Sequence, residues 1–294
     1  MAKQGRIFAV IFLALLIPVL LKAPESEAKV YRGKCKSNLA WSYDSKTKTM
    51  VIDCKGDMPD DEQFYDLDMG WRKYYFKTKK VILKKGISSI GAGAFYNFQK
   101  LEEVVLPEGL RIIKYDAFDG CRKLQFINKP STLEVIEKDV FWDVKIKSIS
   151  LKNLKKLGSE CFSGAKLQSV DIPAKCKIED SVFWSCKKLK KVTFEKGVKR
   201  ISYGMFRETG IKNIDIPGSV TQIGTYAFAN CQSLKKAIIN EGVKKISKDA
   251  FSNTALEEIT IPSTVTKLGK NAFRWESTEK SSLKKVVIRS KTVS

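Results

Sequence analysis

Apolar residues recur along this chain with two nested periods. Phenylalanines stand at 95, 118, 141, 162, 183, 206, 228, 251 and 273, at spacings of 21 to 23 residues. Each follows a small or medium apolar residue (Ala94, Ala117, Val140, Cys161, Val182, Met205, Ala227, Ala250, Ala272). Each also lies five residues after an aliphatic one (Ile90, Ile113, Ile136, Leu157, Ile178, Ile201, Ile223, Ile246, Leu268). About five or six residues after most of the phenylalanines comes a second pattern: aliphatic, two variable, aliphatic, one variable, aliphatic. It reads Leu101/Val104/Leu106, Ile146/Ile149/Leu151, Leu167/Val170/Ile172, Leu189/Val192/Phe194, Ile211/Ile214/Ile216, Leu256/Ile259/Ile261 and Leu283/Val286/Ile288. The alternation at its end predicts a strand with one face inward. A proline follows at one fixed position in five units: Pro107, Pro130, Pro173, Pro217 and Pro262. Having no N–H for a ladder, proline stops each strand at the same height.

A unit of about 22 residues cannot bury its apolar side alone, but stacked units share a continuous core. The pattern therefore predicts a solenoid, mainly β with short helical turns and one strand per coil. Ten parallel strands from near Val81 to near Ile288 would form a sheet roughly 45 Å long. Two units depart from the pattern. Leu124-Gln-Phe-Ile127-Asn-Lys129-Pro130 places lysine where an inward aliphatic belongs, which predicts a shifted register, and Arg274 to Ser282 is an insertion before Leu283. Ahead of the repeats, Trp41-Ser-Tyr43 and Met50-Val-Ile52 flank a polar segment, Asp44–Lys48, and read as a hairpin.

The unit is whole from Ile211 through Ile214, Ile216-Pro217, Val220, Ile223-Gly224 and Ala227-Phe228 to Cys231. It resembles the BspA-type leucine-rich repeat, a class of secreted and cell-surface proteins. The preceding segment resembles the N-terminal cap found before such repeats in bacterial members: Cys35, Asn38-Leu-Ala-Trp41, Met50-Val-Ile-Asp, Gly56-Asp-Met58-Pro-Asp60 and Gly70-Trp71-Arg-Lys-Tyr74. The expected organisation is a signal peptide over 1–28, a small β cap over 29–78, and nine repeats with a terminal half-repeat over 79–294. The resemblance implies an extracellular adhesin or interaction scaffold.

The N-terminus supports export. Lys3 and Arg6 precede a fifteen-residue stretch from Ile7 to Leu21, interrupted only by Pro18, and small residues at Ser26 and Ala28 suit cleavage after Ala28. At about 1.5 Å per residue this stretch falls short of the ~30 Å hydrocarbon core, so an uncleaved anchor is the weaker reading. No later run approaches a membrane span.

The chain of 294 residues contains no histidine. That removes Ser-His-Asp and Cys-His nucleophile pairs, H-E-x-x-H zinc sites and histidine switches. An enzyme of this composition would work through carboxylates, lysines, tyrosines or cysteines, and a carboxylate-based hydrolase or wall-modifying enzyme is the alternative to a binder. A structural envelope spacer is another. The acids Asp57, Asp60, Asp61, Glu62, Asp66 and Asp68 are dense, but they lack calcium-loop spacing and a second acidic cluster, and read as a solvated cap loop. No metal or other cofactor is implied.

Of seven cysteines, Cys121, Cys186 and Cys231 fall three residues after a repeat phenylalanine, Cys161 just before one, and Cys176 in an aliphatic slot. These read as buried small hydrophobes. Cys35 and Cys54 flank the hairpin; a bridge between them and two free thiols both stay open.

There are 54 Lys+Arg against 32 Asp+Glu, and the excess falls at repeating positions. Lys79-Lys80, Lys190-Lys191, Lys235-Lys236 and Lys284-Lys285 open strands, whereas Lys84-Lys85, Lys199-Arg200 and Lys244-Lys245 follow them. Equal phase lines them up as two basic bands, the first interrupted by Glu102-Glu103 and Glu257-Glu258. They serve either as solvated, aggregation-blocking loops or as an attraction for anionic polymers. Forty-five lysines against nine arginines and an exported chain argue against a specific nucleic-acid partner. Outward strand positions Ser148, Ser150, Ser169, Asp171, Lys191, Thr193, Asn213 and Asp215 offer small polar groups on a rigid sheet, the expected place for an extracellular protein or glycan. Trp142 and Trp184 share one repeat phase and could stack on sugar rings or pack against the coil.

Overall fold

The computed structural model describes residues 28–35, 39–61, 69–275 and 282–289; the leader expected over 1–28 lies outside them except for Ala28. Most repeats fold as one coil with a longer strand on one leg and a two-residue strand on a second, and helix among the described residues is confined to short 3-10 turns such as Arg72–Tyr74. The cap supplies β1 (Val30–Cys35), β2 (Leu39–Asp44), β3 (Thr49–Cys54) and β4 (Gly56–Asp57). The first leg of the repeats carries β5 (Lys80–Leu83), β7 (Glu103–Val105), β9 (Phe126–Ile127), β12 (Ser169–Ile172), β14 (Lys191–Phe194), β16 (Asn213–Ile216), β18 (Lys236–Ile239), β20 (Glu258–Ile261) and β22 (Lys285–Ile288). The second carries β6 (Ile87–Ile90), β8 (Ile112–Ile113), β10 (Val135–Ile136), β11 (Lys156–Leu157), β13 (Lys177–Ile178), β15 (Arg200–Ile201), β17 (Gln222–Ile223), β19 (Lys245–Ile246) and β21 (Lys267–Leu268). All pairings between repeats are parallel.

The nine repeat phenylalanines form one ladder through the interior. Neighbouring rings lie 5.0 to 5.9 Å apart between centroids and within 19° of parallel, from Phe95 to Phe273. This offset stacking suits the ring quadrupole, and the rings from Phe95 to Phe251 are essentially fully buried. Two residues before every ladder phenylalanine, and two after the first eight, the backbone is left-handed with φ between +52° and +71°. Most of these positions hold Gly, Asn, Asp or Ser, which tolerate that region better than β-branched residues. The paired reversals aim N–H groups at the next coil, as in Phe118 N to Val140 O (3.1 Å) and Phe141 N to Cys161 O (2.9 Å). Backbone satisfaction therefore continues through the turns without a regular strand.

The cap closes the first coil. Its strands β1, β2 and β3 form an antiparallel meander, and β3 pairs in parallel with β5, so one ladder runs from cap to repeats. Trp41, Tyr43, Met50, Trp71 and Tyr74 fill its core, with Tyr43 and Tyr74 stacked at 4.3 Å. Gly33 is required there: a Cβ would sit 2.4 Å from the Trp41 ring.

Two expectations are corrected, and one alternative left open is narrowed. The first-leg sheet is broken rather than continuous: the ladder stops at β9, residues 146–151 form no strand, and β12–β14, β16–β18 and β20–β22 follow as separate pairs. The coil from Phe141 to Phe162 has only 21 residues, and Leu151 to Leu154 spans three positions where Ile216 to Val220 spans four. A shortened turn draws residues 146–151 out of ladder geometry. The register at Lys129 is not shifted either, because β9 keeps Ile127 opposite Val104. The strand instead ends early, and the Asn128 amide replaces the ladder, accepting from Leu106 N (2.7 Å) and donating to Leu106 O (2.8 Å). Lys129 is left half-buried, and desolvation pushes its ammonium pKa down. Finally, Cys35 and Cys54 both lie opposite Leu39, on the two outer strands of the meander. Two strand spacings of about 4.8 Å put their backbones beyond the ~7 Å limit for a disulfide. Cys54 is a free, buried thiol facing Asp57 O at 3.6 Å, not one half of a bridge.

Candidate functional site

The sheet face presents most of the predicted polar residues. Ser169 and Asp171 on β12, Lys191 and Thr193 on β14, and Asn213 and Asp215 on β16 are all exposed, between buried or half-buried neighbours that anchor each strand. Parallel register places Ser169 beside Lys191, Asp171 beside Thr193, and Asn213 beside Lys236. Thr193 donates its hydroxyl to the Asp171 carboxylate, and Asn240 Nδ2 donates to Asp215 at 2.6 Å. These cross-coil bonds fix the side chains before any partner arrives, which lowers the ordering cost of binding. Ser148 and Ser150 are exposed as well, but on the strandless segment rather than on a strand.

That segment opens a shallow cavity of about 610 Å³, lined by Ile127, Lys129, Ser148, Ser150, Asp171 and Glu195 among others. A second of about 420 Å³ lies over β18, β20 and β22. Sequence reasoning missed two apolar members of this face: Phe126 is 61% exposed beside the first cavity, and Ile238 is exposed beside Asp215. Their signal was a large apolar residue at an outward phase, the kind of anchor that carries interface energy.

The basic bands differ along the stack. Glu103 pairs with Lys80 at 2.8 Å, Glu102 with Lys79 at 3.4 Å and Glu257 with Lys284 at 3.7 Å, so the glutamates that interrupt the first band neutralise it coil by coil. Lys190, Lys191, Lys199, Arg200, Lys235, Lys236, Lys244 and Lys245 form no ion pair with a described residue. Within the two bands, positive charge without an ion-pair partner thus runs from Lys190 to Lys245.

The three described cap acids, Asp57, Asp60 and Asp61, make structural bonds, although Asp57 is also exposed to solvent. Asp57 accepts from Ser88 (2.7 Å) and Ser89 (2.8 Å), bonds that hold its carboxyl below its ordinary value. Asp60 binds Lys114 at 2.9 Å and accepts from Ala92 N, while Asp61 forms a buried pair with Arg72 at 3.3 Å. Glu62, Asp66 and Asp68 lie outside the described residues. Stacking instead creates an acidic row that the linear sequence hid: Asp116, Asp139 and Glu160 occupy the left-handed position of successive coils, with Asp119 beside them. Desolvation, with Asp116 and Asp139 adding repulsion, pushes the Asp119 carboxyl up to about 6. None of the cavities described is lined by these carboxylates, and no group of three or more His, Cys, Asp or Glu among the described residues is placed to hold a metal.

A raised carboxyl pKa means that the folded state binds more protons than the unfolded one between pH 4 and 6, so this group's contribution to stability falls as pH rises through that window. Asp119→Asn is accordingly expected to raise stability at pH 7 by about 1–3 kcal/mol and to have little effect near pH 4. Urea unfolding at the two pH values checks this; equal shifts at both would exclude the titration as the cause.

The cysteine slots are inert. The thiols of Cys121, Cys186 and Cys231 each face the phenylalanine carbonyl of the preceding coil, at 3.2, 3.0 and 3.0 Å. Burial pushes Cys186 up to about 12 and Cys231 to about 11, and Cys121 and Cys161 also well up, which removes the thiolate a nucleophile needs. Cys176 is half-buried, with its thiol raised to about 11 by desolvation.

The sequence pattern of the BspA type Leucine rich repeat region matches in six copies over residues 73–190 and 176–280. A leucine-rich repeat protein from Eubacterium ventriosum is similar in structure with a TM-score of 0.66 and 20% identity, over 90% of this chain and 73% of its own. Another from Bacteroides ovatus gives 0.65 and 24%, over 86% and 70%. No curated protein matches the chain significantly.

Proposed function

As the chain belongs to the BspA-type leucine-rich repeat family, we propose that it is an extracellular, non-catalytic binding protein of the adhesin kind, holding a macromolecular partner on its sheet face. The observation that carries this reading is the pre-bonded row of exposed small polar groups on β12, β14 and β16, flanked by a shallow cavity and by the exposed Phe126 and Ile238. The two acids that line the cavity are already engaged, Asp171 with the Thr193 hydroxyl and Glu195 with Ala174 N at 3.0 Å, so the chemistry of this surface is hydrogen bonding and apolar contact with a broad partner. The unpaired lysines around β14 to β19 steer acidic partners and raise the encounter rate. Export through the N-terminal leader and residence outside the cell or on its surface belong to the same proposal. No helix among the described residues is long and apolar enough to cross a membrane.

The test is an array of extracellular-matrix proteins and glycans probed at about 0.15 M salt. The expected result is retention of a small set of partners at that ionic strength. General stickiness to every polyanion, lost on adding salt, would reduce the basic charge to solubility and contradict the reading.

A further inference from the structure

A second recognition element lies on the turn leg, away from the sheet face. Trp142, Ser163 and Trp184 each follow a ladder phenylalanine in three successive coils. Backbone bonds join these coils directly: Asp143 N donates to Ser163 O at 2.8 Å, and Gly164 N donates to Trp184 O at 2.8 Å. Two coil spacings separate the indole-bearing positions, about 10 Å. Between the tryptophans the middle coil contributes Ser163, Gly164 and Lys166, with no aromatic ring at the shared phase, and a cavity of about 320 Å³ opens there. A ring held between two aromatic side chains needs roughly 4.5–5 Å to each, which is the space two coils leave.

The walls are braced. Arg207, from the coil beyond, lies 5.5 Å from the Trp184 ring centroid. Trp142 is 39% exposed, although most large aromatics of the repeats are buried in the ladder. Trp184 Nε1 is buried without a hydrogen-bond partner, a donor that calls for an acceptor. On the floor, Lys166 Nζ lies 2.8 Å from Gly164 O and 3.3 Å from Asp143 Oδ1, and Asp143 is shared with Arg122 at 3.6 Å. Lys187 adds a second ammonium on the rim. With two lysines in the slot against one shared carboxylate, the slot is net positive.

The slot also continues along the stack. Lys187 lines the adjoining cavity of about 530 Å³, whose other members include Glu208, its charge met by Arg207 at 3.4 Å, and Thr209, Asn230, Gln232 and Ser233. An aromatic-walled position leading into a trough of hydroxyls and amides suits a linear polymer of hydroxylated rings better than a single aromatic ligand. We propose that Trp142 and Trp184 clamp one ring of an acidic oligosaccharide, a hexuronate whose carboxylate meets Lys166 and Lys187, while neighbouring sugars run toward Asn230. This site is independent of the sheet-face reading and can fail or stand without it.

The test titrates the full protein with oligogalacturonate and with a neutral oligogalactoside of equal length at about 0.15 M salt, by calorimetry and tryptophan fluorescence. The expected result is binding of the acidic oligomer with altered indole emission. Trp142→Ala and Trp184→Ala should each weaken it about tenfold, the factor that 1.4 kcal/mol of stacking represents, and Trp184→Phe should retain most of it. Lys166→Gln with Lys187→Gln should abolish the preference for the acidic oligomer. A thermal melt of each variant confirms folding, and Trp142→Ala, at an exposed position, serves if Trp184→Ala does not fold. Unchanged affinity in Trp142→Ala would overturn the proposal, as would equal binding of the neutral oligomer or tighter binding of a nucleotide.

Discussion

Phe162→Ala, in the middle of the ladder, is expected to lower the unfolding free energy by about 3–5 kcal/mol, measured by urea unfolding. The ring is fully buried and stacks on Phe141 at 5.4 Å and Phe183 at 5.9 Å, so truncation leaves a void that neighbouring coils cannot close without breaking their own stacking. Because each coil contacts only its neighbours, the loss falls on the two junctions of one coil in an otherwise intact stack. A biphasic transition is therefore expected, one phase for coils on either side. Phe162→Leu keeps most of the volume and should cost under about 1.5 kcal/mol. A loss below 1 kcal/mol in the alanine variant would show that the ladder is not what holds the coils in register.

The second large effect is at the cap. Arg72 and Asp61 are both almost completely buried, with Arg72 Nε 3.3 Å from Asp61 Oδ2 and Arg72 Nη1 donating to Tyr96 O at 2.7 Å. The guanidinium also lies 5.7 Å from the Phe98 ring and 5.9 Å from that of Tyr75. Arg72→Met leaves the Asp61 carboxylate buried without its counter-charge, and should cost about 3–5 kcal/mol. Adding Asp61→Asn removes that charge and should recover part of the loss, because a neutral pair avoids the desolvation cost that makes a lone buried charge expensive. Thermal unfolding of the two variants decides it; a double variant no more stable than Arg72→Met would mean that Arg72 acts through packing and the Tyr96 bond instead.

What was legible in the sequence follows from how narrowly each position is constrained. The ladder could be read because only a large flat side chain fills the space between coils, so phenylalanine recurs in all nine units. Strand positions were legible by alternation, and Ser169 to Asp215 emerged exposed as expected. The left-handed turn positions were hidden because the constraint there is on φ, and Asp, Asn, Ser, Glu, Gly and even Tyr226 satisfy it. The break at 146–151 was hidden because Ile146, Ile149 and Leu151 keep the apolar pattern while the turn after them is short. The acidic row was invisible because Asp116, Asp139 and Glu160 are about a coil apart in sequence and meet only on stacking. The apparent clue at Lys129 misled, since an asparagine amide can stand in for a ladder without moving the register.

The sheet-face reading is tested most directly by Ser150→Ala, Asp171→Ala, Thr193→Ala and Asp215→Ala combined in one chain, measured by surface binding against a partner that the array identifies. All four side chains are exposed, so the variant should unfold within about 0.5–1 kcal/mol of the parent. The account predicts at least a tenfold loss of affinity at about 0.15 M salt. Unchanged affinity in this folded variant would contradict it.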